Sequence, residues 1–138
     1  YLLWSLRQTG GGSVRAKTKA GNRIIPVHDD LKPVISDLLT RSDKFLLPDL
    51  TVNSIGVRSA QVSKQFGALK TKLGFDGRYV FHSIRKTVST QFEQAGVAEG
   101  VAADILGHEK KTMTYGLYAG GSSIDQKGEA ISKLNYEL

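Results

Sequence analysis

The sequence contains no cysteine. Its absence excludes a disulfide framework and any thiolate nucleophile or thiolate metal site in these residues, and it fits a reducing cytoplasm. Long apolar runs are missing as well: no stretch of about 18 apolar residues occurs, so no membrane-spanning helix is predicted. The chain begins with neither Met nor a secretory signal peptide, which predicts that it is a piece of a longer protein.

Acidic residues are scarce at the start of the chain, where the first one is Asp29. The formal net charge is +6, and the surplus comes from residues 1–70, which hold 11 basic and 5 acidic side chains. Such a one-sided surplus favours a polyanionic partner, nucleic acid first, and the alternative is a solvated basic face. A membrane surface is disfavoured because residues 1–28 do not resemble a basic amphipathic helix.

Motifs of several common enzyme classes are absent. The glycine-rich residues 9–13 lack the Gly-Lys-Ser/Thr of a phosphate-binding loop, so no nucleotide site is expected. The three histidines lack the spacing of a zinc site, and no Gly-x-Ser-x-Gly of a hydrolase occurs. We therefore expect neither a metal nor a cofactor.

Two segments near the start of the chain have the composition of strands. Residues 1–6 and 22–28 are rich in aliphatic, aromatic and β-branched side chains. Residues 13–19 are compatible with a further strand that pairs with 22–28, with residues 20–22 as the turn between them. The sequence thus predicts a small antiparallel sheet.

The rest of the chain has the periodicity of helices. The first predicted helix starts after an N-cap at Asp29 or Asp30, and the next three end at glycines. Those glycines are Gly74, Gly96 and Gly107. A short helical segment is predicted over 112–118. The predicted fold class is α+β, mostly helical, with the small sheet followed by a helical bundle in one domain.

Side-chain burial is also predicted by the spacing. In the third helix the inward residues are expected to be Ile84, Val88, Phe92 and Ala95. The last helix opens with a capping box of Ser123 and Gln126. Its narrow apolar stripe leaves two interpretations open, docking on its own domain or on a neighbouring protomer. The stripe comprises Ile124, Lys127, Ile131 and Leu134.

Five side chains of complementary chemistry follow one another along the chain: Lys19, His82, Arg85, His108 and Tyr118. An arginine fork binds two phosphate oxygens, and imidazoles hydrogen-bond phosphates and move protons near neutral pH. A tyrosine hydroxyl is a possible nucleophile in a cationic site, and a lysine can protonate a leaving alkoxide. Taken together, the set predicts a phosphate site, although each residue alone has an ordinary structural explanation.

Four segments carry a resemblance to a known family. These are residues 17–26 (KTKAGNRIIP), 81–87 (FHSIRKT), 105–108 (ILGH) and 112–118 (TMTYGLY). They resemble the lysine hairpin, the His-x-x-Arg box, the Leu-Gly-His box and the nucleophile segment of the tyrosine recombinases, or phage integrase family. The sequence is therefore similar to the catalytic domain of these enzymes over nearly its whole length.

The resemblance implies site-specific cleavage and rejoining of double-stranded DNA, in the cytoplasm of a bacterium and on behalf of a phage or mobile element. Tyr118 is the implied nucleophile and Lys19 the proton donor to the leaving 5′-oxygen. Arg85 and His108 are the implied ligands of the non-bridging oxygens. His82 either binds the phosphate or accepts the tyrosine proton. The implied assembly on DNA is a synaptic tetramer.

Two departures from the family pattern qualify this interpretation. The family's first catalytic arginine and its separate core-binding domain have no counterpart in residues 1–138, so we expect this fragment to bind DNA weakly and to be inactive alone. Tyr118 lies ten residues after His108, one more than is commonest, which leaves Tyr115 as the alternative nucleophile. A type IB topoisomerase and a non-catalytic DNA-binding module are the alternative functions.

Overall fold

The computed structural model describes residues 2–6, 19–41, 46–56, 59–109 and 120–136, with the backbone alone for Ser5, Leu6 and Lys19. The chain divides into two compact units. The first unit combines Tyr1–Asp29 with Val88–Leu138, and the second is the intervening Asp30–Thr87. The first unit is thus built from the two ends of the sequence.

A two-stranded antiparallel sheet belongs to the first unit. Strand β1 (Leu3–Leu6) pairs with β2 (Arg23–Pro26), so that Leu3 lies opposite Pro26. The pairing continues for one more bond, from Val27 N–H to the carbonyl of Leu2 at 2.9 Å. Both strands were predicted from composition and are confirmed. The predicted pairing of 13–19 lies outside the described residues.

The described residues contain five α-helices. They are α1 (Lys32–Arg41), α2 (Ser59–Lys72), α3 (Phe81–Gln94), α4 (Glu99–Leu106) and α5 (Ile124–Ser132). The predicted class, a small antiparallel sheet followed by helices, is confirmed. Within the same residues, no helix is long and apolar enough to cross a membrane.

The core of the first unit lies where α3, α4 and α5 meet. Its buried side chains are Phe92, Ile105, Leu106, Ala130 and Ile131, and Phe92 is 1% exposed. Val88 and Leu134 pack against this cluster, as does Ile25 of β2. In the single chain the last helix therefore docks on its own unit, as one of the two interpretations of its apolar stripe predicts.

The second unit consists of α1, α2 and the beginning of α3. Phe66 and Phe81 meet edge to face, with ring centroids 5.3 Å apart, and Thr51 donates from its backbone N–H to Gln61 Oε1. No described side chain of α1 or α2 is buried. The expectation that Ile84 points inward is wrong, because this side chain is 49% exposed. Periodicity sets which face of a helix is apolar, whereas burial also needs an element that covers that face.

The glycines predicted to end helices agree with the structure, whereas the aspartates predicted to cap the first helix do not. Gly107 directly follows α4, and Gly74 and Gly96 lie two residues after the last residues of α2 and α3; all three adopt positive φ, as predicted for left-handed C-caps. The predicted N-cap at Asp29 or Asp30 differs, because both residues lie in a 3-10 turn, Asp29–Leu31, that runs directly into α1. Short 3-10 turns are frequent at helix starts.

Candidate active site

A cavity of about 580 Å³ opens in the first unit. It lies between the residues around the start of β2, the end of α4 and the beginning of α5. The lining side chains include two cations, one carboxylate and one imidazole, namely Arg23, Lys127, Asp104 and His108. Such a mixture suits an anionic group held next to proton-transfer residues.

Lys19 begins the 3-10 turn Lys19–Gly21, which leads into β2. The structure describes its backbone, and the neighbouring Ala20 and Asn22 line the cavity. The candidate proton donor is therefore carried by a turn at the edge of the cavity. The sequence predicts a turn at residues 20–22 next to this lysine, and the structure has a 3-10 turn over Lys19–Gly21.

His108 follows the left-handed cap of α4. Its backbone N–H donates to the carbonyl of Ala103 at 2.9 Å, and the N–H of Gly107 donates to the same carbonyl at 2.7 Å. These two bonds fix the chain as it leaves the helix, so the position of His108 is set by the cap. Its side chain is exposed and lines the cavity.

Arg23, the first residue of β2, joins the Lys19 turn to the end of α4. Its Nε donates to the carbonyl of Ile105 at 2.8 Å, and its Nη1 donates to the carbonyl of Gly21 at 3.2 Å. The first bond spans 82 positions of sequence. The two sides of the cavity are thus connected by one half-buried guanidinium.

Asp104 of α4 lines the cavity and contacts the segment that leads into α5. Its Oδ2 accepts from both the backbone N–H and the hydroxyl of Ser122, each at 2.7 Å. Gly121, which has a φ of 83°, precedes this contact. Asp104, three residues before Gly107 in α4, therefore binds the segment that leads into α5.

Lys127 of α5 contributes the second cation of the cavity. Its Nζ donates to the carbonyl of Ile24 at 3.4 Å, so the side chain reaches from α5 to β2. His28, which follows β2, also contacts the end of the chain. Its Nε2 donates to the carbonyl of Leu134 at 3.2 Å. Because a carbonyl only accepts, the Nε2 of His28 carries the proton in this bond.

His82 and Arg85 belong to the second unit. Both lie in the first half of α3, three positions apart, so they occupy one face of the helix as predicted. His82 is exposed and Arg85 is half-buried. The helix start is fixed by Ser83, whose Oγ accepts from the backbone N–H of Val80 at 3.0 Å.

Tyr118 and Tyr115 fall in residues 110–119, outside the described residues, as does the predicted short helix 112–118. The residues on both sides of this stretch, His108 and Gly120, line the same cavity. Elsewhere in the part of the chain that the structure describes, no three His, Asp or Glu side chains form a group able to hold a metal ion.

A comparison with family models identifies the family of the chain. The model described as the phage integrase family matches residues 7–122. The chain belongs to the phage integrase family. No curated protein and no solved structure matches it.

The phage integrase family comprises the tyrosine recombinases, so membership implies site-specific recombinase activity and DNA binding. Three residues at the cavity of this integrase domain, Arg23, Asp104 and Lys127, were not singled out from the sequence as site residues. Their partners lie 82, 18 and 103 positions away, so no local spacing connects them. The one related signal in the sequence is the glycine of the Leu-Gly-His box, because a Cβ atom on Gly107 would lie 2.6 Å from Nη1 of Arg23.

Proposed function

We propose that residues 1–138 carry the catalytic machinery of a site-specific DNA recombinase that works through a 3′-phosphotyrosyl intermediate. The observation that carries this proposal is the shared cavity. The Lys19 turn, His108 and Gly120 all border it, and Gly120 lies two residues after Tyr118. The family match adds the class of reaction.

The proposed cleavage step exchanges one phosphate ester for another. Tyr118 Oη bonds to phosphorus while the bond from phosphorus to the 5′-oxygen breaks, and the electron pair of that bond stays on the 5′-oxygen. Lys19 gives a proton to this oxygen, and the tyrosine proton passes to a base, for which His82 is the candidate. Rejoining reverses these transfers, so the step consumes no cofactor.

Arg85 and His108 are assigned to the two non-bridging oxygens, on which negative charge grows in the transition state. The guanidinium is always charged and presents two parallel donors to a phosphate. His108 suits this role because the cap of α4 fixes its backbone at the cavity. The alternative role of His82 is a further hydrogen bond to the phosphate.

The choice of Tyr118 over Tyr115 is supported by position in the sequence. Tyr118 is two residues before Gly120, which lines the cavity. Tyr115 is five residues before Gly120 and seven after His108. Of the two tyrosines, Tyr118 is therefore closer in sequence to a residue that lines the cavity.

The partner in this proposal is double-stranded DNA in the cytoplasm of a bacterium, bound by several protomers in a synaptic tetramer. The positive surplus of residues 1–70 follows the phosphate backbone of the duplex. The family resemblance implies a further catalytic arginine and a core-binding domain, which have no match in residues 1–138. We propose that residues 1–138 alone bind DNA weakly and do not cut it.

The test uses a full-length protein that contains this chain and a pool of nicked duplexes with random base pairs around the nick. After cleavage the short 5′-hydroxyl strand diffuses away, so the covalent adduct accumulates and survives denaturing washes. We expect the adduct with the unsubstituted protein and with Tyr115→Phe, and none with Tyr118→Phe. An adduct that persists in Tyr118→Phe contradicts the assignment.

A matched pair of lysines tests the proton donor. Lys19→Ala should slow adduct formation about 100-fold, whereas Lys17→Ala, which removes the same charge two residues away, should slow it far less. The reverse order moves the role to Lys17. Relaxation of supercoiled plasmid without exchange between two sites indicates a type IB topoisomerase instead.

A further inference from the structure

We infer that Arg23 is a positioning residue of the cleavage reaction, which holds the Lys19 turn in register with the end of α4 that carries His108. The inference rests on the proposed function, because it assigns Arg23 an effect through Lys19. It adds a residue that belongs to none of the roles given above. The argument starts from what the guanidinium contacts.

The guanidinium of Arg23 donates hydrogen bonds to two backbone carbonyls. One belongs to Ile105 in the last turn of α4, at 2.8 Å from Nε. The other belongs to Gly21, the last residue of the Lys19 turn, at 3.2 Å from Nη1. A cation at the last carbonyls of a helix is favoured by the helix dipole, so the contact stabilises both partners.

The guanidinium of Arg23 lies close to the backbone of Gly107. A Cβ atom on Gly107 would lie 2.6 Å from Nη1 and 2.8 Å from Cζ of Arg23. The same atom would lie 3.0 Å from the carbonyl oxygen of Ala20. The Lys19 turn, Arg23 and the cap before His108 therefore pack closely, and an added Cβ atom would require Arg23 to shift.

Through these contacts, Arg23 sets the position of the Lys19 turn relative to the end of α4. The turn carries the proton donor, and the cap carries a ligand of the phosphate. A displacement of reacting groups by about 1 Å is enough to slow catalysis about 100-fold. Without Arg23, the turn loses its bond to α4, and the lysine is no longer held at a fixed position relative to the phosphate.

The experiment compares two substrates in the full-length protein. One is a duplex of the sequence recovered from the nicked pool, and the other carries sulfur in place of the bridging 5′-oxygen at the scissile phosphate. A thiolate leaves without protonation because its pKa is far below that of an alcohol. Cleavage of the sulfur substrate therefore does not depend on the position of the lysine.

We expect Arg23→Met to slow cleavage of the oxygen substrate about 100-fold and that of the sulfur substrate less than about 10-fold. Arg23→Lys keeps the charge and should recover part of the lost rate. Arg78→Met is the matched control, since Arg78 bonds to Asp76 in the second unit and its side chain is 85% exposed. It should leave the ratio between the substrates unchanged.

Three outcomes overturn the inference or its basis, and they differ from one another. Equal losses on both substrates show that Arg23 acts on stability or as a phosphate ligand, and cleavage at the unsubstituted rate shows that it has no role. Both leave the proposed function intact. Failure of the unsubstituted protein to form an adduct with either substrate overturns the proposed function itself.

Discussion

Replacing Gly107 by alanine tests the contact between β2 and α4 in the absence of DNA. The residue has a φ of 72°, a left-handed conformation that costs an alanine about 1 kcal/mol. The added Cβ atom would also overlap the guanidinium of Arg23. That group is the flexible end of its side chain and can move away, so the main consequence is the loss of its bond to Ile105.

The magnitude follows from these two contributions. A hydrogen bond to a charged group in a half-buried position is worth about 1.5–3 kcal/mol. Gly96 provides the matched control, because it caps α3 with a φ of 66° and a Cβ there meets no atom within 4 Å. We expect Gly96→Ala to cost about 1 kcal/mol and Gly107→Ala about 2.5–4 kcal/mol.

The assay is urea unfolding followed by circular dichroism, in which a difference of about 2 kcal/mol shifts the midpoint by about 1 M. A double-mutant cycle completes the test. In the Arg23→Met background the excess cost of Gly107→Ala over Gly96→Ala should shrink to the part caused by the 3.0 Å approach to the carbonyl oxygen of Ala20. If the two glycine variants are equally stable, or if the excess persists in full without Arg23, the account of this contact is wrong.

Three further predictions concern other parts of the fold. Phe92→Ala should lower the free energy of unfolding by about 3–5 kcal/mol, and Ile84→Ala by much less, because Phe92 is 1% exposed and Ile84 is 49% exposed. Asp104→Ala should cost about 1–3 kcal/mol by removing the acceptor of two hydrogen bonds, and Asp104→Asn should cost less; urea unfolding measures both. The hydrogen bonds from the side chain and the backbone of Arg78 lower the pKa of Asp76, and NMR titration should show that pKa rising toward its ordinary value in Arg78→Ala. Since the folded-state pKa is lowered, this carboxylate stabilises the fold above its unfolded-state pKa and loses that contribution as the pH falls through the folded value.

Features that depend on a few neighbouring residues were predictable from the sequence. Gly96 and Gly107 end their helices because a residue at positive φ is cheapest as glycine, and this requirement is local. The capping box at Ser123 and Gln126 is present with both of its hydrogen bonds for the same reason. The two strands were predicted from composition, since β-branched and aromatic side chains suit a pleated surface.

Features that depend on distant residues were not predictable. The sequence indicates that Arg23 is basic, but not that its guanidinium meets Ile105 across 82 positions. Likewise the spacing of Ile84 marks an apolar helix face without indicating whether another element covers it. The docking of α5 on its own core required the structure, because an apolar stripe fits a neighbouring copy as well as the same chain.

The first unit combines the two ends of the chain, so its parts are synthesised at different times. Strand β2 leaves the ribosome about a hundred residues before α5, which packs against it. During that interval Ile25 lacks the core cluster against which it packs in the folded unit, and exposed apolar surface of this kind favours aggregation. The cavity lined by β2, α4 and α5 comes into existence when α5 has been translated, so a prematurely terminated polypeptide lacks it.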